Sequence, residues 1–275
     1  MSFRADLHCH SSYSDGALLP EELLCMAREV GLQGLSITDH DTVDAYTEDL
    51  FAKSRQLQVE LLLGVEISSQ WQEENVHVLG YGIDLGAKNF TEFLADVQRR
   101  RYKRNLKILE KLAARGMVIT PEELAEHAKR CSGGRSASVG RPHIAALLEE
   151  KKHVSSYSQA FQLLKDGGSC YAQTERYSSA DVIDQIHEAK GKAVLAHPSQ
   201  IVHKRVLDAL CTLAFDGIEG HDSLHKKVEE KKWARIASQK GWIVTGGSDF
   251  HGEKRGYGFL GSSWVGREVF DRLMR

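Results

Sequence analysis

One unit recurs along this chain and restricts what it can fold into. It is a short apolar run, a histidine or carboxylate at or just past the end of that run, and then a helical segment. His8, His10 and Asp15 stand in DLHCHSSYSDG, His40 in SITDHD, Glu66 in LLLGVEIS and His77 in VHVLGYG. His197 stands in AVLAHP, and Asp249 with His251 in TGGSDFHG. Strands separated by helices predict a parallel sheet or barrel that gathers its ligand groups at the carboxyl ends of the strands.

The helical segments carry their own boundary signals. PEELLCMAREV opens on Pro20, has Glu21 and Glu22 in its first turn and stops at Gly31. A second helix is predicted over 43–57, between a strand at LSITDHD and a strand at ELLLGVEIS. VHVLGYGID reads as a strand adjacent to the latter. The alternation resumes late in the chain, where Gly191 and Gly241 close helices that lead directly into KAVLAHP and WIVTGGSDF. Between His77 and His197 the rhythm breaks. Residues 89–167 show only helical signals, too many for a loop, and predict an inserted helical cap on a body formed by 1–88 and 168–275.

Strand geometry explains the ligand spacing. His8 and His10 are two apart, so both rings leave one face while Cys9 points to the other and reads as a packed thiol. Asp249 and His251 repeat the same step at the far end of the chain. Imidazole and carboxylate donors together favour Mn, Fe or Zn, and such ions lower the pKa of water from 15.7 to about 7. The set therefore points to a metal-dependent hydrolase. Asp41, beside His40, reads either as a support for water or a ligand imidazole, or as a helix N-cap.

In the predicted cap, steps of three and four place Phe90, Leu94, Val97, Ile108 and Leu112 on one face, with Arg101 and Arg104 inside that stripe. A guanidinium on a packed face must reach water or find an anion, because an unpaired buried charge is costly. Arg135, Arg141 and His143 in GGRSASVGRPHIA form a second basic group, read either as a phosphate clamp or as an ordinary loop and helix start on Pro142.

Composition excludes several classes. A formal net charge of −2 rules out a general polyanion binder, so any attraction to phosphate is local. The five cysteines are scattered and form no CxxC pair, which predicts free thiols in a reducing compartment. No apolar run reaches membrane-spanning length and the first motif leaves no room for a leader, so a cytoplasmic protein without a stable protein partner is expected.

Taken together, DLHCHSSYSDG, ITDHDT, GVEIS, HVLGYG, AHP and GGSDFHG resemble the polymerase and histidinol phosphatase (PHP) superfamily of metal-dependent phosphoesterases over nearly the whole chain. The resemblance implies an α/β fold, a distorted (β/α)7 TIM-like barrel with an inserted helical cap, and two or three divalent ions, Mn first and Fe or Zn next. Its implied ligands are His8, His10, Asp15, His40, Glu66, His77, His197, Asp249 and His251. Asp15 in the third position and VGRPHIA in the insertion are similar to the branch of 3',5'-nucleotide bisphosphate phosphatases and 5'-to-3' exoribonucleases. In GIEGHDSLH, His225 matches the second histidine of that branch, while the first falls on Asp222.

The expected reaction is hydrolysis of a nucleotide phosphate monoester, a nucleoside 3',5'-bisphosphate above all, by attack of a metal-bound hydroxide. Asp15, Asp249 and His225 are the expected catalytic groups, with His225, or alternatively His221, protonating the leaving alkoxide. Arg101, Arg104, Arg135, Arg141 and His143 are the expected substrate-binding groups. The alternatives are a 5'-to-3' exonuclease on short RNA or DNA, a histidinol-phosphate-type phosphatase, and a non-catalytic PHP module.

Overall fold

A computed structural model describes residues 2–223, 227–252 and 258–275. It is a mixed α/β fold built on two sheets. The first is three-stranded and parallel: β1 (Ala5–Cys9), β2 (Gly34–Ile37) and β3 (Glu60–Leu61). The helices α1 (Pro20–Glu29) and α2 (Glu48–Leu57) make its two crossovers. The second sheet runs in the order β4 (Gly64–Trp71), β5 (Glu74–Tyr81), β6 (Lys192–Leu195), β7 (Gly217–Asp222) and β8 (Ile243–Gly247).

Three expectations need correction. The second sheet is not all parallel: β4 and β5 form an antiparallel hairpin, and β5 also pairs antiparallel with β6, before β6, β7 and β8 run parallel. ELLLGVEIS is two strands rather than one. Leu62 N still donates to Leu35 O in the first sheet (2.9 Å), whereas Gly64 N turns to the buried Tyr46 hydroxyl (3.0 Å) and starts the second. The helix predicted from residue 43 begins at Glu48, because Thr47 is the residue whose hydroxyl accepts from Leu50 N.

The sheets meet at or just past the carboxyl ends of β1, β2 and β8 and near the start of β4. Cys9 bridges Phe250, and His40 bridges Glu66, both in parallel sense. Between β5 and β6 lie α3 (Lys88–Ala113), α4 (Pro121–Cys131), α5 (Arg141–Glu150) and α6 (Tyr157–Leu164). Thr120 and Glu123 close a reciprocal capping box at the start of α4. The 26 residues of α3 join two cores. Its first half packs Phe90, Phe93, Leu94 and Val97 against Val65, Val78 and Ile183 of the sheet body. Its second half packs Ile108, Leu109 and Leu112 against Leu124 of α4 and Ile144 and Leu148 of α5.

Helix α7 (Ser179–Glu188) precedes β6, α8 (Lys204–Leu210) precedes β7, α9 (Lys227–Lys240) precedes β8 and α10 (Arg267–Met274) follows it. No helix among the described residues is long and apolar enough to cross a membrane.

Candidate metal centre and its cavity

The nine predicted ligands converge where the two sheets meet. His8 lies in β1, and His10 and Asp15 in the loop after it; His40 follows β2; Glu66 on β4 and His77 on β5 are diagonal neighbours across the hairpin, opposite Leu79 and Ser68 respectively. His197 follows β6, and Asp249 and His251 follow β8. Glu66, only 1% exposed, is the hub. Its Oε1 stands 2.8 Å from His77 Nδ1 and 2.9 Å from His197 Nε2. Its Oε2 stands 3.0 Å from His40 Nδ1, 3.2 Å from His10 Nε2 and 3.5 Å from His8 Nε2. Asp249 Oδ1 lies 3.3 Å from both His8 Nε2 and His10 Nε2. Asp15 Oδ1 lies 3.5 Å from His251 Nε2.

Local backbone geometry makes this convergence possible. A Cβ on Gly247 would stand 2.3 Å from His8 N, so only glycine lets β8 press against β1 here. Asp249 (φ 52) and His197 (φ 25) both occupy the left-handed region as non-glycine residues, strain of the kind that surrounding structure must hold in place.

The donor set fits divalent ions. His8 Nε2, His10 Nε2 and His40 Nδ1 are buried without a hydrogen-bond partner among the described residues, an arrangement that costs energy unless a cation takes the lone pairs. His10, Asp15, His40 and His251 form one group able to hold an ion; His8, His10 and Glu66 form a second; His40, Glu66 and His77 form a third. Burial raises the cost of charge on Glu66, yet His40, His77 and His8 outweigh it and hold the carboxyl well below its usual range. Burial likewise opposes ionisation of Asp249, and His8 and His251 reverse the effect. Burial lowers His77 and His251 to about 4 and keeps both rings neutral, whereas neighbouring carboxylates outweigh burial at His8 and His197 and push His10 up to about 10, so a metal binding there displaces protons.

Supporting groups fix the rings. His8 Nδ1 donates to Glu219 Oε1 (2.8 Å), and the other oxygen, Oε2, accepts from His197 N (2.8 Å). His251 Nδ1 donates to Asp249 O (2.8 Å). Each bond leaves Nε2 of its ring to face the centre. Buried Asp39 accepts from the hydroxyls of Ser11 and Ser14 and from Ser11 N, pinning the loop that carries Asp15. Glu219 had not been singled out from the sequence. On β7, Ile218 enters the core, so the alternation already places Glu219 on the opposite, inward face. Glu219→Ala is expected to weaken metal affinity about ten- to a hundredfold while leaving the fold intact. Titration with Mn, followed by calorimetry, measures this; unchanged affinity would remove Glu219 from the centre's support.

A cavity of about 580 Å³ opens over the centre. Asp15, His40, Glu66, His77, His197, Asp249 and His251 line it, together with Arg101, Arg104, Arg141 and Arg176. Arg101 Nε donates to Asp41 Oδ2 (2.8 Å), and Asp41 also accepts from Ser68 N (2.6 Å). Asp41 is therefore not a helix cap, a place taken by Thr47; it ties α3 to the centre. Arg141 pairs with Asp166 at 3.0 Å. Arg104 is 4% exposed, and its Nε has no partner among the described residues. Burial and the neighbouring Arg101, Arg176 and Arg141 push its guanidinium well below its usual range, which marks a concentrated positive field.

Arg135 and His143 are not among the residues that line the cavity. Arg135 bonds the Tyr13 hydroxyl (2.6 Å) and Glu21 (3.3 Å), tying the segment between α4 and α5 to the loop after β1 and the start of α1. His143 is buried in the first turn of α5, where its Nδ1 accepts from Gly140 N (3.2 Å). His221 is half exposed beside Glu230 and lines a different depression, and His225 lies outside the described residues. Arg176 gave no sequence signal, since it sits in the irregular segment before α7.

Fold and site together define a metal-dependent phosphoesterase. The chain belongs to the PHP domain family, which residues 6–177 match. It is 33% identical over 258 residues to a 5'-3' exoribonuclease of Haemophilus influenzae, covering 91% of each chain. It is 31% identical over 252 residues to a phosphoribosyl 1,2-cyclic phosphate 1,2-diphosphodiesterase of Eggerthella lenta, covering 90% of this chain and 94% of that one. It is also 31% identical over 258 residues to a 3',5'-nucleoside bisphosphate phosphatase of Chromobacterium violaceum, covering 91% of this chain and 88% of that one. A solved structure of a candidate metal-dependent phosphoesterase from Bifidobacterium adolescentis superposes with a TM-score of 0.87 at 27% identity, over 98% of this chain and 95% of that one.

Proposed function

We propose that this protein is a phosphomonoesterase of small nucleotides carrying two phosphates, a nucleoside 3',5'-bisphosphate being the best match, and that it acts in the cytoplasm. The carrying observation is that one cavity is lined both by seven of the candidate metal ligands and by four arginines. Among the described residues, Arg104 and Arg176 have no carboxylate within ion-pair distance, whereas Arg101 and Arg141 do. Two guanidiniums without a carboxylate partner in the same cavity as the candidate ligands suit a substrate with a second anionic group. A volume of about 580 Å³ falls within the range of small-molecule sites.

In this reading the two sheets close as a distorted (β/α)7 barrel, residues 89–167 act as its cap, and two or three divalent ions, Mn first, sit among His8, His10, Asp15, His40, Glu66, His77, His197, Asp249 and His251. Bound ions supply a nucleophile from water at neutral pH and neutralise phosphoryl charge. Arg104 and Arg176 hold the non-reacting phosphate, Arg101 is oriented by Asp41, and Arg141 guards the entrance beside Asp166. His225 returns a proton to the leaving alkoxide.

The test supplies Mn and three substrates in parallel: adenosine 3',5'-bisphosphate, a short 5'-phosphorylated RNA and a ribose 1,2-cyclic phosphate. Phosphate release from the bisphosphate is expected to be fastest. Faster shortening of the RNA would replace this reading with the exonuclease, and faster ring opening would replace it with the cyclic phosphodiesterase.

A further inference from the structure

The cavity wall has a third component, which neither the metal ligands nor the arginines explain. Among the described residues that line it, Pro142, Tyr157 and Phe161 are the apolar or aromatic side chains other than the candidate ligand imidazoles; the rest are charged or polar. Tyr157 and Phe161 are one turn apart on α6, and their rings lie nearly parallel, with centroids 6.0 Å apart at 16°. Both are half-buried, anchored against the inserted helices' core on one side and open to the cavity on the other. Pro142, in the first turn of α5, continues the same surface. Flat apolar surface in a cavity that also holds the candidate metal ligands and four arginines matches a ligand with two phosphates and one planar ring system.

We infer that Phe161 and Tyr157 form a stacking platform for the nucleobase of the substrate, a refinement that rests on the nucleotide phosphatase reading above. Stacking on an aromatic face accepts every base, since each has a π-face, so the platform selects nucleotides over sugar phosphates and not one base over another. Gln162, next to Phe161 and also in the cavity wall, is placed to meet a base edge.

The experiment compares equilibrium binding of adenosine 5'-phosphate and ribose 5-phosphate by calorimetry, with Mn present, and measures turnover separately. Native protein is expected to bind the nucleotide about five- to a hundredfold more tightly, the usual range for one stacked base. Phe161→Ala is expected to bring that ratio close to one, and Phe161→Trp to preserve it. Equal affinities in the native protein, no detectable nucleotide binding, or a ratio that survives Phe161→Ala would each overturn the platform. Tight, base-dependent binding without phosphate release from a bisphosphate would overturn the phosphatase reading and leave the platform standing.

Discussion

Glu66→Gln is expected to remove at least one bound ion per chain and lower kcat/KM by about a hundred- to a thousandfold, the range for losing one electrostatic group at a reacting centre. The size of the effect follows from position. One buried carboxylate lies within 3.5 Å of five imidazole nitrogens, more than any other acid of the site, and it belongs to two of the three groups able to hold an ion. The amide keeps the shape and one acceptor oxygen but loses the charge that offsets the cations. It also turns an NH2 toward imidazoles that must stay available as acceptors. Elemental analysis and phosphate release on the same preparation measure the two effects. The native protein should gain thermal stability when Mn is added, because an ion that binds only the folded chain stabilises it by mass action, and the variant should gain less. A variant with a full metal complement and kcat/KM within a few-fold of native would sink the polynuclear assignment.

What could be read from the sequence was what strand parity and helix punctuation control. The i, i+2 pairs His8–His10 and Asp249–His251 come together because alternation is a local property of extended chain, and the first turn of α1 carries its own start signal in Pro20, Glu21 and Glu22. The direction of β5 was hidden. Its two-residue connection to β4, Gln72–Glu73, holds Gln72 at φ 55 without the Asn or Gly that normally announces such a turn. The break at Leu62 and Leu63 was hidden for a similar reason. An apolar run that leaves one sheet and enters another carries no mark, and the Tyr46 hydroxyl that organises the change comes from sixteen residues earlier. Arg135, like Arg141, looked like a phosphate clamp because both are basic and near glycines. Only the fold separates them, by giving Arg135 to Tyr13 and Glu21 and placing Arg141 in the cavity. Arg104 was the opposite case. Its place within an apolar stripe already required either snorkelling or an anion, and burial at 4% leaves no room for snorkelling.

Arg104→Met therefore separates recognition from architecture. Methionine keeps much of the apolar stem and removes the charge. Loss of one charge-assisted phosphate contact is expected to cost roughly 1.5–3 kcal/mol, about ten- to a hundredfold in kcat/KM on a bisphosphorylated nucleotide. On p-nitrophenyl phosphate, which has no second phosphate, the loss should be small. Stability should move the other way. In the ligand-free protein this guanidinium is buried, lacks a carboxylate partner and feels Arg101, Arg176 and Arg141, so removing it relieves a desolvation and repulsion cost. The melting temperature of the variant is expected to equal or exceed the native value, and a bisphosphonucleotide should raise it less than it raises the native one. A function-first residue behaves this way because its cost in the empty cavity is offset only when the anion arrives. Equal losses on both substrates together with a fall in melting temperature would make Arg104 a packing residue, and the second phosphate would then need another host.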